Sequence, residues 1–518
     1  MTRKFKPTLV AASLAISIAS LASGCSYLQA DSNSDHASAA KTETTTVHST
    51  PQSKDKTTTP IEHVVVIFDE NISFDHYFGT YPHATNPKGE PAFHAKPGTP
   101  PVNGLTKQLL EHNPNRYNPF LLSRSKEPCD QDHEYEAEQE AYNGGLVNQF
   151  VSATGNKTSK ECQREVMGYY DGNTVTALWN YAQNFSLNDN SYGTIFGPST
   201  PGALNLVAGT TGKALPANAP DVVNGNLVGD VNPRFDDCSY SSPVKATEGE
   251  ANAAKDGGMI YIQGKNIGNL LNEKGVTWGW FEGGFDPTSR TKSGVALCDA
   301  VSTNVFGGQK KDYIPHHEPF QYFKSTSNPH HLPPSSIAMV GKTDQANHQY
   351  SLKTFWKAAD SGHLPAVSFL KAKGVEDAHA GYSNPLDEQK FLVRTINRLQ
   401  KLPSWKHTAV IIAYDDSDGY YDHVMPPKNH YANEQGRAGY GPRLPLLVIS
   451  PYAKQNYVDH TLTDQASIIH FIERNWQLGH IKHSMDVHSG TLDHMFNFHK
   501  KQLDAKLFLN PKTGEVVS

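Results

Sequence analysis

The chain has 518 residues, of which 37% are hydrophobic, 10% aromatic and 19% charged. That is ordinary for a folded globular protein and enough for a large buried core. A net charge of −6 makes no electrostatic case for nucleic acid, and no partner of that class is expected.

Taken in order, the first segment reads as an export signal. Arg3, Lys4 and Lys6 make a basic start, and residues 9–21 form an apolar run too short for a good membrane span. The run ends in Leu21-Ala22-Ser23-Gly24-Cys25, which resembles a bacterial lipoprotein cleavage site. The expectation is a lipoprotein signal peptide over 1–24. A lipid on Cys25 would then anchor the chain to a bacterial membrane facing the periplasm or the cell exterior. Plain secretory cleavage nearby is the alternative. Residues 25–60, rich in Ser, Thr, Ala, Lys and Asp, are expected to be a disordered tether ahead of a single domain over 61–518.

Three short, apolar, β-branched runs follow, "VVVIF" at 64–68, "HTAVIIAY" at 407–414 and "PLLVIS" at 445–450. They suit central strands of a parallel sheet. Residues 384–399, opening "NPLDEQKF", and 464–476, opening on an aspartate N-cap, carry helical spacing. The predicted fold is α/β, a three-layer sandwich with a mostly parallel central sheet flanked by helices. Residues 209–314 are rich in Gly, Asn and Asp and are expected to form insertions or a smaller subdomain. If Cys25 carries lipid, Cys129, Cys162, Cys238 and Cys298 remain. An even number in an exported chain predicts two disulfides, and sequence proximity favours Cys129–Cys162 and Cys238–Cys298.

Open α/β sheets place ligands at the carboxyl ends of their strands. Glu70 and Asn71 follow the first strand, and Asp415 and Asp416 follow the second. Between them lies "GPSTPGALNLVAGT", a tight turn before a helix-compatible run, with Ser199 or Thr200 as the expected N-cap. A hydroxyl there faces backbone N–H groups and the positive end of a dipole, which favours phosphate or a developing alkoxide. Up to three carboxylates and an amide oxygen suit one divalent cation. With no histidine among them, Mg, Ca or Mn is favoured over zinc. A cation beside Ser199 would activate its hydroxyl as a nucleophile. His133, His316, His317 and His379 lie in loop-like segments beside acids. As charged imidazoles they would hold phosphate oxygens. His330-His331 has no such context and is read as structural. For each residue the plain reading is a cap, a turn or a surface histidine, so it is their combination that points to a metal-assisted hydrolase.

"ENISFDHYFGTYP" resembles the hallmark block of the bacterial phosphoesterase family of acid phosphatases and phospholipases C. "GPSTPGALNLVAGT", "DYIPHHEPFQYF", "EDAHAGYSNPLDEQ", "YDDSDGYYDHV" and "GPRLPLLVISPYAKQNYVDH" resemble its further blocks, in the family's order, over about 61–478. The wording of the blocks is closer to the acid phosphatase branch. The resemblance implies a fold similar to alkaline phosphatase. It implies that Glu70, Asn71, Asp415 and Asp416 hold the metal, Ser199 is the nucleophile, and His133, His317 and His379 line the phosphate pocket. Asp69 stands where the family often has a neutral residue, and is expected on the other face of its strand. Tyr414 stands where Trp is common. The implied reaction is hydrolysis of a phosphate ester through a phosphoseryl intermediate. His379 or His317 would protonate the leaving oxygen, and the pH optimum would lie below neutral. The rival substrate is a phospholipid such as phosphatidylcholine. Sulfate ester hydrolysis is disfavoured because "STPGA" lacks the arginine of the sulfatase block, and a non-catalytic surface lipoprotein is disfavoured by the complete residue set.

Overall fold

The six residues from Val64 to Asp69 are all buried, in a strand that starts at His63. Alternate residues of a strand face opposite sides of a sheet, so a run buried throughout needs cover on both faces. The computed structural model, which describes residues 57–239, 259–428, 439–499 and 505–517, supplies that cover. The signal peptide, Cys25 and most of the tether lie outside the described residues. The residues after Ser53 fall into one compact unit.

Eight strands form the central sheet. They are β1 (His63–Asp69), β2 (Ser186–Asn188), β3 (Trp278–Glu282), β4 (Gln349–Ser351), β5 (Val367–Lys371), β6 (Thr408–Tyr414), β7 (Leu446–Ile449) and β8 (Tyr457–Asp459). Their order across the sheet is β4-β3-β5-β1-β6-β7-β2-β8. β1 sits between β5 and β6, parallel to both, with Val64 level with Ala409 and Asp69 level with Tyr414. The tips carrying Glu70–Asn71 and Asp415–Asp416 are therefore neighbours, as two halves of one cation site require.

β7 runs antiparallel to β6 and β2, which corrects the expectation that all three apolar runs are parallel. Burial on both faces makes a strand apolar whichever way it runs. The stretch 209–314 contributes β3, a fully buried strand of the central sheet, as well as short hairpins.

The helices that matter for the site are α1 (Phe74–Phe78), α2 (Tyr135–Tyr142), α3 (Ser199–Ala208), α4 (Pro385–Leu399) and α5 (Ala466–Trp476). Asn384 caps α4 by accepting from the Leu386 and Asp387 amides. α5 starts two residues later than predicted. Its N-cap is Gln465, and Asp464 instead accepts from the Ser467 amide at 3.2 Å. One core cluster runs from β1 through β6 to α5. A smaller one, including Tyr142, Phe150, Phe196 and Tyr421, packs beside the turn before α3. The disulfides are Cys129–Cys162 and Cys238–Cys298, the pairing that sequence proximity favours.

Candidate active site

The turn before α3 aims its first residue at the tip of β1. Pro198 is the N-cap, in extended conformation, and Ser199 is the first helical residue. This corrects the expectation that Ser199 or Thr200 caps the helix, and it leaves the Ser199 hydroxyl free of capping duty. Oγ of Ser199 reaches Glu70 Oε2 at 2.9 Å, Asp416 Oδ2 at 3.2 Å and Asn71 Oδ1 at 3.4 Å. Gly202, one turn on, lets α3 lie against β6: a Cβ there would stand 2.2 Å from the Asp415 carbonyl oxygen.

The two strand tips are tied together by backbone. Asp415 Oδ1 accepts from the Asn71 amide at 2.8 Å, and the Asp416 carbonyl accepts from the Ile72 amide at 2.8 Å. Asn71 and Asp418 adopt left-handed φ values of 51° and 53°, a conformation that asparagine and aspartate tolerate better than other side-chain-bearing residues. Ala378, between Asp377 and His379, has φ 87°, strain that its surroundings must hold in place.

His133 Nε2 lies 3.3 Å from Asn71 Nδ2, and its Nδ1 lies 3.4 Å from Asp418. The His133 and His379 rings are 5.8 Å apart, edge to face. His317 Nδ1 is 3.3 Å from Glu70 Oε1. His316 turns away, 3.6 Å from Asp230. His331 is buried and bonded to Asp236 and the Phe285 carbonyl, in line with a structural reading. Glu70, Asn71 and Asp416 thus lie at Ser199, His133 lies against Asn71 and His317 against Glu70, and His379 stands beside His133.

Burial opposes the charge of His133, but Asp416, Asp418 and Asp130 outweigh it and raise its pKa. His317 and His379 differ: burial, then neighbouring cations, push both well below the ordinary imidazole value. Before any anion binds, these directions favour the charged form of His133 and the neutral forms of His317 and His379. A phosphate among them would favour their protonated forms.

Four residues at the site were not anticipated. Lys371, at the end of β5, is 1% exposed and bonds Glu70 Oε1. Asp377 lies 4.0 Å from His317. Asp418 contacts Asn71 and His133. Glu138 on α2 accepts from the Gly197 amide at 2.8 Å and from Ser417 Oγ at 2.5 Å. Asp377 and Asp418 had a signal, as further acids within the "EDAHAG" and "DDSDG" blocks. Lys371 and Glu138 had none beyond their types.

Asp69 lies at the end of β1, fully buried, and neither of its carboxylate oxygens has a hydrogen-bond partner among the described residues. Burial, then the nearby Glu388 charge, raises its pKa well above the carboxylate range. The Tyr414 hydroxyl donates to Glu388 at 2.5 Å, a contact an indole at that position would not make in the same way.

The donor set fits a divalent cation. The Glu70 and Asp416 carboxylates meet at Ser199 Oγ, with Asp415 acting on Glu70, while the groups whose ligand atoms fall within 4.8 Å of one another are Glu70–His317–Asp377 and His133–His379–Asp418. Asp415 Oδ2 is buried with no hydrogen-bond partner among the described residues. Burial, then the Asp415 charge, raises Glu70 and Asp416 well above the carboxylate range, as expected of a buried cluster with excess negative charge.

The sequence model of the Phosphoesterase family matches residues 61–479. The chain belongs to this family. It is 23% identical over 446 residues to a non-hemolytic phospholipase C of Pseudomonas aeruginosa, covering 80% of this chain and 54% of that protein. It is 22% identical over 437 residues to phospholipase C A of Mycobacterium tuberculosis, covering 78% and 71%. The chain thus spans about half the length of the Pseudomonas relative it matches. A protein in the alkaline phosphatase superfamily from Vibrio parahaemolyticus aligns over 59% of this chain and 60% of that one, with 12% identity and a TM-score of 0.27. The α/β assignment rests on the sheet itself.

Proposed function

We propose that this chain hydrolyses phosphate esters with Ser199 as nucleophile. The observation that carries the reading is the Ser199 hydroxyl, at a helix N-terminus, within 3.4 Å of oxygens from Glu70, Asn71 and Asp416. Glu70, Asn71, Asp415, Asp416 and Ser199 would hold one divalent cation. When bound, such an ion lowers the hydroxyl pKa and offsets phosphoryl charge.

The residues of the chain account for the remaining demands. Asn71, His133, His317 and His379 receive the phosphoryl oxygens. Ser199 releases its hydroxyl proton to solvent, to be regained when the phosphoseryl is hydrolysed, and its Oγ attacks phosphorus in line as the ester oxygen leaves, giving a phosphoseryl group and a free alcohol. His379 or His317 donates the proton that the leaving oxygen takes. The same imidazole then accepts a proton from the water that attacks the phosphoseryl, which releases phosphate and restores Ser199. A monoester with second pKa near ~6 arrives as a monoanion below that pH and brings the proton that neutral His317 and His379 lack. The optimum is therefore acidic.

A phospholipid is the second substrate reading, favoured by the names of the curated relatives. We infer export, with Cys25 lipidated, from the leader pattern. Among the described residues no helix is long and apolar enough to cross a membrane. The test is hydrolysis of p-nitrophenyl phosphate and p-nitrophenyl phosphorylcholine at acidic to neutral pH, with and without chelator. Wild type is compared with Ser199→Ala. Monoester turnover lost in the variant and on chelation supports the acid phosphatase reading. Dominant choline-ester turnover moves it to phospholipase C. Full activity in Ser199→Ala removes Ser199 as nucleophile.

A further inference from the structure

A second group of metal-ligating side chains lies at the far end of the nucleophile helix. α3 closes at Gly209, whose carbonyl accepts from the Met485 amide at 3.0 Å. The loop that reaches Met485 leaves α5 after Trp476 and carries His480 and Asp486, while Glu473 is on the last turn of α5 itself. His480 Nδ1 lies 2.8 Å from Glu473 Oε2 and 2.9 Å from Asp486 Oδ2.

Both acids are buried, and the histidine is half exposed. One ligand atom from each of the three residues falls within 4.8 Å of the others. His480 Nδ1 is thus the one nitrogen shared by two buried carboxylates, a donor set of one imidazole and two carboxylate oxygens. Asp486 Oδ1, in a fully buried side chain, has no hydrogen-bond partner among the described residues. Glu473 Oε1 is held by the Ile481 amide at 3.2 Å, so its Oε2 is fixed toward His480.

We propose that Glu473, His480 and Asp486 form a second metal site, separate from the phosphoryl site, which binds a zinc-class cation. An imidazole nitrogen with two carboxylate oxygens suits zinc or a neighbouring first-row divalent ion and disfavours magnesium and calcium. The exposed edge of His480 leaves room for water as a further ligand. The site clips the loop to the last turn of α5 and, through Met485 and Gly209, steadies the end of α3 opposite Ser199. Its role is structural, since none of its three residues touches the residues around Ser199.

The test measures bound zinc by elemental analysis after dialysis against trace Zn2+, with melting temperatures, for the full chain. Wild type is compared with His480→Ala, with the near-isosteric pair Glu473→Gln/Asp486→Asn, and with Asp416→Asn. The expected result is one zinc equivalent lost in both the His480→Ala and the paired variant. Their hydrolytic activity should remain within about 2-fold of wild type, and the zinc-induced rise in melting temperature of about 3 °C or more should disappear. Asp416→Asn should keep that equivalent and that rise. Wild-type zinc content in His480→Ala and in the paired variant overturns the proposal, as does the absence of any zinc in Asp416→Asn. The paired variant decides the matter if His480→Ala folds poorly. These outcomes do not depend on whether Ser199 is the nucleophile.

Discussion

Ser199 Oγ and Glu70 Oε2 stand 2.9 Å apart although 129 residues separate them in the chain. The contact joins the N-terminus of α3 to the tip of β1, and everything at the site is arranged around it. Glu70 has a second oxygen, shared by Lys371 and His317. Replacing Glu70 with Gln keeps the volume and removes the charge that a cation and Lys371 both use. Affinity for the proposed divalent cation should fall by more than about 100-fold, beyond what loss of an outer-shell partner costs. Calorimetric titration with Mg2+ and Mn2+ checks this, and an unchanged affinity would remove Glu70 from the ligand set.

Gly202 allows α3 to touch β6. A methyl group there would stand 2.2 Å from the Asp415 carbonyl oxygen and 2.7 Å from its carbon. That neighbour is backbone at the tip of a central strand, so it cannot yield cheaply. Gly202→Ala should destabilise the fold by about 1–3 kcal/mol through overpacking. It should also cut kcat by at least about 10-fold by moving Ser199 away from β1. Chemical denaturation and steady-state kinetics give the two numbers. Wild-type values for both would mean that α3 does not rest on Asp415 in solution.

Glu138 braces two buried loop segments from a helix. One oxygen holds the Gly197 amide, two residues before Ser199, and the other holds Ser417, next to Asp416. Glu138→Ala leaves both donors without their partner at about 1–3 kcal/mol each, and kcat should fall more than KM changes. Glu138→Gln keeps one acceptor oxygen and should recover part of the lost kcat. Equal loss in the two variants would show that the charge, and not the brace, is what matters.

The strand tips were legible because β1 and β6 are long β-branched runs that stop abruptly in acids. Their adjacency follows once both acid pairs are assigned to one cation. The direction of β7 was not legible, because burial on both faces erases the difference between parallel and antiparallel runs. β3 was missed because "WGWFE" builds its strand from aromatics and a glycine inside a Gly-rich stretch. β2, β4 and β8 have three residues each, too few to show any period. Lys371 reads in sequence as an ordinary charged strand end, and Glu138 sits in the acidic run "EYEAEQEAY", which resembles a solvated helix face. Burial beside a distant segment gives each its role, and that is a tertiary fact.

The loop after the β6 tip is anchored to α1 by charge, and this gives a pH dependence of stability. His423 Nδ1 lies 2.6 Å from Asp75 Oδ2, while Arg443 reaches Asp75 Oδ1 and Asp422 Oδ2, each at 3.0 Å. Burial lowers His423, but Asp75 and Asp422 outweigh it and raise its pKa. Burial raises Asp75, but His423 and Arg443 outweigh it and lower its pKa. The His423 contribution is therefore complete below the ordinary imidazole value of about 6.5 and is lost as pH rises through its raised folded value. The Asp75 contribution is complete above the ordinary carboxyl value of about 3.9 and is lost as pH falls through its lowered folded value. His423→Gln should cost about 1.5–3 kcal/mol at pH 5.5, the range for a hydrogen bond to a charged group, and clearly less at pH 9. Urea unfolding of wild type and variant at both pH values measures the difference. A cost that is the same at the two pH values would mean that the Asp75–His423 contact holds no charge in the folded protein, and that the loop behind Asp415 and Asp416 is kept in place by Arg443 and by hydrogen bonds such as the His423 amide to Asp75 at 2.8 Å.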